Sequence, residues 1–560
     1  MELIDLTGIW NLSGRGIGES RVLPAEVPGG VHAALMAEGV IPDPGVGDNA
    51  EKVAWVGEGD WTFERPFEVS ASLLEHDVVE LECDGIDTFA EVLINGKTVL
   101  RADNMFKSWK IDVRDVLHVG SNSIRVEVES PFRHADKALV RKAKYGFGSE
   151  YSPECVTAGI CRPLRIRAWN EARFRDVVFK QEHVNGEVNL FIDIWVDSAR
   201  NSDREIIADY LIEDPSGVEI IRGDLRRSEL SGGSFSGKCN IVSPQLWWPN
   251  GMGAQPLYSV TLTLRNTAGS ELDRVVNKTG LRSLDVVERQ DGLAFARCNG
   301  REVFLKGGVW IPPGLFPAHF TSEDYIHLVG SAVDAGMNAF KIWDGGTFEN
   351  DIFWELCDEN GMIVFGVDGI SEFEDGVGKQ NQSFHHACLF DNYMIKLGED
   401  NGLRIIRDEM SFPCPDTLSE SLPENRRWIN GSDMDDRVSG PRGASAILAD
   451  IVWEWPVASS FSDWIWLSQI AHGAFVCDEI AKRRLEPSCS GVMWEPFASC
   501  WANADGSSID SAGRWKSLHY MVRAAFAEVS VHGVLIGYGM VDVYISDLEM
   551  ERRDVLLRWR

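Results

Sequence analysis

Acidic side chains follow several short apolar segments that have the composition of buried strands. Asp344, Asp368 and Glu495 each stand directly after such a segment. A carboxyl group that is partly buried beside another carboxylate is suited to nucleophilic or general acid–base chemistry. The alternative for each residue is a structural role as the polar cap of a loop or helix. The pattern therefore indicates three candidate acids, provided that the strands bring their ends together.

Aromatic and histidine side chains occupy similar positions. Trp343 and Trp494 stand at the ends of apolar segments, where an indole ring can stack on the apolar face of a sugar ring. The competing interpretation is core packing, which is common for tryptophan in a chain with 20 of them. His385 and His386 form a candidate pair for proton transfer, although adjacent histidines in a polar loop are also typical of a solvated surface.

The first half of the chain consists of β-rich segments. Residues 1–170 contain short alternating runs separated by turn residues, and Asn95-Gly96 is a strong signal for a two-residue hairpin. This pattern predicts a sandwich or jelly roll. Residues 171–285 are again rich in strand-forming residues and have about the length of one immunoglobulin-like sandwich.

Beyond residue 285 the pattern changes to alternating strands and helices. The sequence predicts a helix over Thr321–Ala335 with Thr321 as its N-cap, and another over Asp351–Glu359 that ends at Asn360-Gly361. Trp464–Arg484 has the pattern of a long amphipathic helix. Alternation of this kind predicts a parallel sheet, here a barrel, whose strand ends carry the candidate acids.

Charge and composition argue against several classes of partner. The formal net charge of -32 disfavours nucleic-acid backbones and anionic membranes. No signal peptide and no apolar run of about 18 or more residues is visible, so we predict a cytoplasmic protein without a membrane span. The cysteines show no CxxC pair and no zinc-ligand spacing, which favours reduced thiols over disulfides or a metal site.

Short motifs of specific composition run along the chain. The first half contains Leu6-Thr7-Gly8-Ile9-Trp10, Val27-Pro28-Gly29, Gly85-Ile86-Asp87-Thr88 and Leu246-Trp247-Trp248-Pro249-Asn250-Gly251. The second half contains Leu305-Lys306-Gly307-Gly308, Ile342-Trp343-Asp344-Gly345-Gly346 and Gly513-Arg514-Trp515-Lys516-Ser517-Leu518-His519-Tyr520. In this order, and over nearly the whole chain, the motifs resemble the β-mannosidase branch of glycoside hydrolase family 2.

The resemblance implies a multidomain fold that combines β domains with an α/β domain. Its parts are a jelly-roll sugar-binding-type domain over residues 1–170, an immunoglobulin-like β-sandwich over 171–285, a (β/α) barrel-like catalytic domain over 286–530 and a C-terminal β segment over 531–560. It also implies hydrolysis of a terminal β-linked sugar with retention of configuration, by two carboxyl groups about 5–5.5 Å apart. Enzymes of this kind need no metal or organic cofactor.

The segment expected to carry the acid catalyst is missing. The family's acid/base is a glutamate after paired asparagines at the end of the fourth barrel strand, and no such run exists here. About 35 residues separate Gly369 from Leu403, whereas three strand–helix units need roughly 30 residues each. We therefore expect a shortened or incomplete TIM-type barrel with deleted middle units and an altered acid/base.

The family's nucleophile strand survives in part, in the run Arg404–Met410. If the run is aligned with the family pattern from its upstream residues, Asp408 occupies the position of the nucleophile. If the glutamate of the family is matched by residue type, Glu409 occupies that position. The two side chains face opposite ways on an extended segment, so only one of them can point into the site. A solvated turn is the competing interpretation of this run.

Several further positions depart from the family pattern. In the sugar-contacting loop of the jelly roll, Glu150 stands in for the aspartate that binds sugar hydroxyls, and Ser149 removes an aromatic wall. Asp344 replaces a glycine, and Glu495 stands where glutamine is usual, so either is a candidate for a relocated acid. The predicted substrate-binding set is Trp343, Trp494, Glu150, Asp368 and His385.

Three functions therefore compete. The first is a β-mannosidase-like β-glycosidase with Asp408 or Glu409 as nucleophile and a relocated acid. The second is a family scaffold that performs non-hydrolytic chemistry, such as transglycosylation or elimination, on a sugar or natural product. The third is a catalytically dead carbohydrate-binding protein. Each has a carbohydrate or a glycosylated small molecule as its partner, and the exposed edges of the C-terminal β segment make a homo-oligomer a further prediction.

Overall fold

A computed structural model describes most of the chain. The described residues are 1–18, 21–46, 48–134, 137, 139–199, 205–228, 233–288, 293–366, 388, 402–407, 411, 414, 455–456, 458, 460–537 and 540–547. They fold into an N-terminal sandwich, a second β domain, a parallel sheet covered by helices and a C-terminal hairpin.

The N-terminal sandwich consists of two antiparallel sheets with orders β1-β14-β6-β9 and β3-β2-β5-β10-β7-β8. Its strands are β1 Glu2–Asp5, β2 Gly8–Gly14, β3 Leu23–Val27, β4 Gly29–Gly30, β5 Trp61–Val69, β6 Val78–Cys83, β7 Phe89–Ile94, β8 Lys97–Ala102, β9 Trp109–Asp112, β10 Gly120–Glu129, β11 Phe147–Ser149, β12 Ser152–Glu154, β13 Gly159–Ile160 and β14 Leu164–Trp169. Its helices are α1 Val31–Ala37, α2 Asn49–Val53, α3 Trp55–Glu58 and α4 Ala71–Leu74.

Alternating apolar residues build the core of this sandwich. Along β10, Ile124, Val126 and Val128 are buried between exposed or half-buried neighbours, so one face of the strand points inward. The predicted hairpin is confirmed, since Asn95 and Gly96 connect β7 to β8 with φ angles of 50° and 76°. These positive angles are the ones that a two-residue turn of this kind requires.

The second domain is a sheet with the order β15-β16-β19-β18-β17-β20-β21, folded over its own apolar core. The strands are β15 Ala172–Val184, β16 Glu187–Ser198, β17 Ile206–Glu213, β18 Glu219–Arg227, β19 Ser234–Ile241, β20 Leu257–Asn266 and β21 Glu271–Gly280. A small antiparallel sheet follows it and leads into the third domain, with the strands β22 Leu284–Glu288, β23 Ala294–Cys298 and β24 Arg301–Val303.

The third domain is built around a parallel sheet with the order β27-β26-β25-β29-β28. Its strands are β25 Leu305–Trp310, β26 Ala339–Ile342, β27 Ile363–Phe365, β28 Leu403–Ile406 and β29 Gly491–Trp494. Its helices are α5 Ser322–Asp334, α6 Asp351–Asn360, α7 Phe461–Arg484 and α8 Ser517–Ala525. The first strand pairs with the last one, as in a (β/α) barrel. Within the described residues the sheet has five strands, with β27 and β28 at its two edges.

Local signals set the start of α5 and the end of α6 as predicted, whereas α7 starts earlier. Thr321 caps α5 in a reciprocal capping box with Asp324. Gly361 ends α6 in the left-handed region, with a φ of 74°. The long helix α7 begins at Phe461, three residues before the predicted start, because the side chain of Ser460 caps it by accepting the amide hydrogen of Asp463.

The parallel sheet has two apolar faces. One face packs against the helices through side chains such as Phe340, Val492 and Trp494. The opposite face carries Ala339 and Met493, which pack with Trp247 of the preceding domain. Successive residues of a strand alternate between the two faces, so register decides which side chains reach the interior of the barrel.

Specific polar contacts tie the domains together. The buried carboxylate of Glu82 on β6 accepts hydrogen bonds from Arg165 and Arg167, and from Arg173 at the start of the second domain. The indole nitrogen of Trp247 donates to the Asp358 carbonyl, 2.7 Å away, at the boundary with the third domain. Trp247 therefore packs at this interdomain junction.

The C-terminal segment forms an antiparallel hairpin of β30 Val529–Gly537 and β31 Met540–Asp547. Val531, Met540, Tyr544 and Ile545 expose roughly half of their surface on it. The predicted self-association through this segment stays a prediction. Among the helices described above, none is both long and apolar enough to cross a bilayer.

Candidate active site

The carboxyl ends of the parallel strands meet at one edge of the third domain, which we call the mouth. β26 ends at Ile342 and is followed by Trp343, whereas β28 leads into Arg407 and β29 into Glu495. Because the strands are parallel, these three residues emerge at the same edge. The mouth is where the described candidate residues Trp343, Asp344 and Glu495 lie.

Among the candidate acids that the structure describes, Glu495 is the most buried, with 8 % of its surface exposed. Its carboxylate accepts a hydrogen bond of 2.6 Å from Nε of Arg407, and its amide donates to the Ile406 carbonyl at 3.0 Å. Both contacts come from β28 or the residue that follows it. This short charge-assisted contact fixes the position of the carboxylate at the mouth.

A loop of the N-terminal sandwich reaches this edge. The amide of Tyr145 donates to the Gly345 carbonyl at 3.1 Å, which joins the loop directly to the turn after β26. The hydroxyl of Ser152 donates to the Tyr145 carbonyl at 2.6 Å and so fixes the hairpin of β11 and β12 on this loop. The sandwich thereby contributes Glu150 and Tyr151 to the mouth.

Tyr151 links the two domains at the mouth. Its ring is 8 % exposed and packs edge to face on Trp343, with 5.3 Å between ring centroids and 84° between planes. Its hydroxyl interacts with the carboxylates of both Glu495 and Glu150. Burial, and next the negative charge of Glu495 and then that of Glu150, raise the pKa of this phenol.

The remaining predicted residues of the mouth differ in exposure. Trp343 is half-buried on a small apolar cluster shared by the two domains, which leaves part of its ring accessible. Gly345 allows this position, since a Cβ on Gly345 would lie 2.4 Å from the Trp343 ring. Asp344 and Glu150 are exposed.

Trp494 is not a sugar platform, which corrects the interpretation made from the sequence. It is 1 % exposed and stacks on Phe526, with 5.9 Å between ring centroids. Trp494 lies two residues after Val492 and therefore shares the face that packs against the helices. Its ring therefore packs in the apolar core between the sheet and the helices.

Several predicted site residues lie outside the described residues. They are Asp368, His385, His386, Asp408 and Glu409. Arg407 and Ser411, which flank two of them, are described.

Two contributors to the mouth were missed by sequence reasoning. Tyr151 stands next to Glu150 in the altered jelly-roll loop, and its aromatic character in that loop was the available signal. Arg407 directly precedes Asp408, but no local pattern indicates its ion pair with Glu495, 88 positions later. Among the described residues, no cluster of three or more histidine, cysteine or acidic side chains is arranged to hold a metal ion.

A second carboxyl group is buried behind the mouth. Glu349 accepts hydrogen bonds from the indole of Trp310 at 2.8 Å and from the hydroxyl of Tyr325 at 2.6 Å. Burial raises its pKa. It lines an interdomain cavity of about 880 Å³, also lined by Arg162, but both of its oxygens are already bonded. Glu349 therefore serves to connect β25, α5 and the turn before α6.

Comparison with known proteins extends these observations. Residues 10–162 match the family described as glycosyl hydrolase 2 galactose-binding domain-like, and residues 172–282 match glycosyl hydrolases family 2. The β-mannosidase of Capra hircus is 31 % identical over 401 residues, which are 65 % of this chain and 44 % of that protein. The β-mannosidase B of Neosartorya fischeri is 30 % identical over 366 residues, 60 % of this chain and 42 % of that protein. The chain thus spans less than half of the length of these relatives.

Solved structures share the fold over most of the chain. The β-D-mannosidase from Dictyoglomus thermophilum superposes with a TM-score of 0.86 and 25 % identity, covering 98 % of this chain and 80 % of that one. The exo-chitosanase of Amycolatopsis orientalis superposes with a TM-score of 0.75 and 15 % identity, covering 95 % and 74 %. The second similarity concerns the fold alone.

Proposed function

Because the chain belongs to glycoside hydrolase family 2, we propose that it is a β-glycosidase of the β-mannosidase-like type, which removes a terminal β-linked sugar with retention of configuration. The observation that carries this proposal is the mouth itself. A buried carboxylate, Glu495, and an accessible indole, Trp343, lie at the same strand ends and are connected by Tyr151. A flat aromatic face and a nearby anion are the features that a pyranose and its positively charged transition state require.

Each side chain then has a distinct role. Trp343 supports the apolar face of the sugar, and Glu150 accepts hydrogen bonds from its hydroxyl groups. Glu495, paired with Arg407, stabilises the positive charge that develops on the ring. The nucleophile is Asp408 or Glu409, which follow β28 in the sequence.

The proposed proton donor differs from the glutamate that serves as acid/base in the family. The family's Asn-Asn-Glu run is absent, and the carboxylate of Glu495 forms an ion pair with Arg407. Asp344 is the remaining described acid directly after a strand of the mouth, and its exposure leaves it free to meet a leaving group. We therefore assign the altered acid/base to Asp344.

A panel of nitrophenyl glycosides tests the proposal, with the wild type beside Asp408→Asn, Glu409→Gln and Asp344→Asn. We expect turnover of the β-mannoside and its loss in one of the first two variants, which identifies the nucleophile. Asp344→Asn is expected to slow an alkyl mannoside much more than a nitrophenyl mannoside, because nitrophenol leaves with little protonation. Glu355→Gln, on the exposed side of α6, is the control. Absence of turnover with every glycoside contradicts the proposal.

A non-catalytic carbohydrate-binding protein is the second candidate. The observation that favours it is the ion pair of Glu495 with Arg407, which neutralises a carboxylate where the reaction needs active ones. It predicts glycan binding that Asp408→Asn and Glu409→Gln leave unchanged, measured by calorimetry. The other alternative from the sequence, transglycosylation or elimination, predicts consumption of the glycoside without free sugar as the product.

We also propose a cytoplasmic location. All eleven cysteines are free thiols, which is consistent with the cytoplasmic location expected from the sequence.

A further inference from the structure

A cavity of about 880 Å³ lies where the three domains meet. The sandwich lines it with Arg162, the second domain with Phe174 and the third domain with Phe348. Cavities of roughly 300–1,000 Å³ are large enough to hold a small organic ligand. The described side chains of the mouth are absent from this lining; they are Glu150, Tyr151, Trp343, Asp344, Arg407 and Glu495. The cavity is therefore a candidate site for a second ligand.

Aromatic rings form one part of the lining. They are Phe106, Phe316, Phe320, Tyr325, Phe348 and Trp354. Phe106 of the sandwich and Phe348 of the third domain pack edge to face, with 5.6 Å between ring centroids and 88° between planes. Both rings are half-buried, so each keeps apolar surface that a ligand in the cavity can cover. This part of the cavity suits the flat apolar body of a ligand.

Most carboxylates of the lining already have partners within the protein. Glu82 pairs with three arginines, and Asp84 pairs with one of them. Asp87 pairs with the buried ammonium group of Lys142. Glu349 accepts a hydrogen bond on each of its two oxygens. These acceptors are therefore satisfied without a cationic ligand.

Arg162 is a cation of the lining that lacks such a partner. Its Nη2 donates to the Phe348 carbonyl at 2.5 Å and to the Glu349 carbonyl at 3.5 Å. No carboxylate of the described residues forms an ion pair with Arg162, and its Nε and Nη1 make no hydrogen bond with them. A partly buried charge is costly unless it is paired, and a guanidinium forms its strongest hydrogen bonds with anionic oxygens. The two available nitrogens therefore indicate an anionic ligand.

The exposed charges of the lining do not reverse this preference. Lys110 and Arg274 are cations and Asp351 is a carboxylate, and none of the three forms an ion pair within the described part of the chain. The carboxylate of Asp273 accepts the backbone amides of Phe174 and Arg274, both at 2.9 Å. An anion that enters the cavity thus meets two exposed cations besides Arg162.

We propose that this cavity binds a small aromatic carboxylate, whose charged group lies on Arg162 and whose ring lies against Phe106 and Phe348. The carbonyl that Arg162 contacts belongs to Phe348, so the guanidinium and the aromatic pair are neighbours. An apolar surface with one charged group beside it is what a ligand of this class requires. The inference goes beyond the proposed function, because hydrolysis at the mouth uses none of these residues.

Isothermal titration calorimetry of the full chain with cinnamate tests the inference. Cinnamamide is the matched ligand, because it has the same ring and nearly the same shape without the negative charge. We expect the wild type to bind cinnamate about tenfold or more tightly than cinnamamide, since only the carboxylate forms a charge-assisted hydrogen bond with Arg162. Methyl β-mannoside is expected not to displace cinnamate, because the described side chains of the mouth do not line the cavity.

Two pairs of variants locate the bound ligand. Arg162→Gln is expected to weaken cinnamate binding about tenfold or more and to remove the preference over cinnamamide. Arg523→Gln, the same change at an exposed position of α8, should leave both affinities unchanged. Cys161 also lines the cavity, so Cys161→Trp should fill part of it and block binding, whereas Cys161→Ala keeps the space and the affinity. Thermal melts report whether each variant is folded.

The inference is overturned if the wild type does not bind cinnamate, or binds cinnamate and cinnamamide equally tightly. Displacement of cinnamate by methyl β-mannoside also overturns it, because the ligand then occupies the mouth. An affinity that Arg162→Gln leaves unchanged has the same consequence. Should Arg162→Gln not fold, the Cys161 variants decide, and full binding by folded Cys161→Trp rejects the site. The comparison of the two ligands on the wild type requires no variant.

Discussion

Tyr151 of the N-terminal sandwich and Trp343 of the third domain pack edge to face, with 5.3 Å between ring centroids and 84° between planes. The contact is accompanied by a hydrogen bond between the backbones of Tyr145 and Gly345. The mouth is therefore built by two domains, and the third domain alone lacks Tyr151, whose ring packs on Trp343 and whose hydroxyl interacts with Glu495. Substitutions in either domain can therefore test the role of the mouth.

Tyr151→Phe is expected to lower kcat/KM for nitrophenyl β-mannoside by 10- to 100-fold. The ring stays against Trp343, but the hydroxyl that interacts with Glu495 and Glu150 is lost. Tyr145→Phe is the control, because its hydroxyl donates to the Leu315 carbonyl at 3.3 Å. We expect that control to lose thermal stability and to keep kcat/KM within twofold. Equal kinetics for the two variants would contradict the role of Tyr151.

Trp343→Ala and Trp494→Ala are expected to have different effects. The first removes a half-buried ring at the mouth and should raise KM about tenfold with a smaller change in kcat. The second removes a ring that is 1 % exposed and should lower the free energy of unfolding by about 3–5 kcal/mol. Denaturant unfolding and steady-state kinetics measure the two effects. A raised KM in folded Trp494→Ala would show that its placement in the core is wrong.

Arg407→Met and Glu495→Gln are expected to act non-additively. Either change alone breaks the 2.6 Å contact, so each should lower kcat/KM about tenfold or more. Arg407→Met removes the guanidinium from Glu495, whose side chain is only 5 % exposed, which should make it the more harmful change. The double variant should be no worse than the worse single variant. Losses that multiply would mean that the two side chains act independently.

Stability is expected to fall on acidification from about pH 6.5 to pH 4. Burial, and next the positive charge of Lys142, lower the pKa of His32 to about 4, and burial lowers that of His519 to about 4. Their ordinary pKa is about 6.5, so between these values the unfolded chain binds more protons than the folded one, and unfolding is favoured as pH falls. Thermal melts over this range measure the effect.

His32→Phe separates the contribution of one buried histidine. Its ring can retain the stacking on Phe316, whose centroid is 5.7 Å away, without a group that titrates. The uptake of protons on unfolding between pH 6.5 and 4 should decrease by about one. His118→Phe, at an exposed position, is the control. Identical slopes for wild type and His32→Phe would exclude the buried neutral histidine as a cause.

Local features of the fold could be predicted because short-range geometry determines them. Asn95-Gly96 adopts the positive φ angles of a tight hairpin, Thr321 caps α5 with its own hydroxyl, and Gly361 ends α6 in the left-handed region. Each depends on residues within a few positions of one another. The order of the motifs likewise sufficed to indicate the family.

The sequence by itself determined the sheets, the helix boundaries, the family and the residues that could do chemistry. Only the tertiary structure decided which of them meet. Trp343 and Trp494 look alike in the sequence, but strand register sends Trp494 to the helices and leaves Trp343 at the mouth. Arg407 and Glu495, 88 positions apart, pair because β28 and β29 are neighbours. The layers that pack against a strand decide which way each side chain faces and which distant residues it contacts. No local sequence pattern encodes the arrangement of those layers.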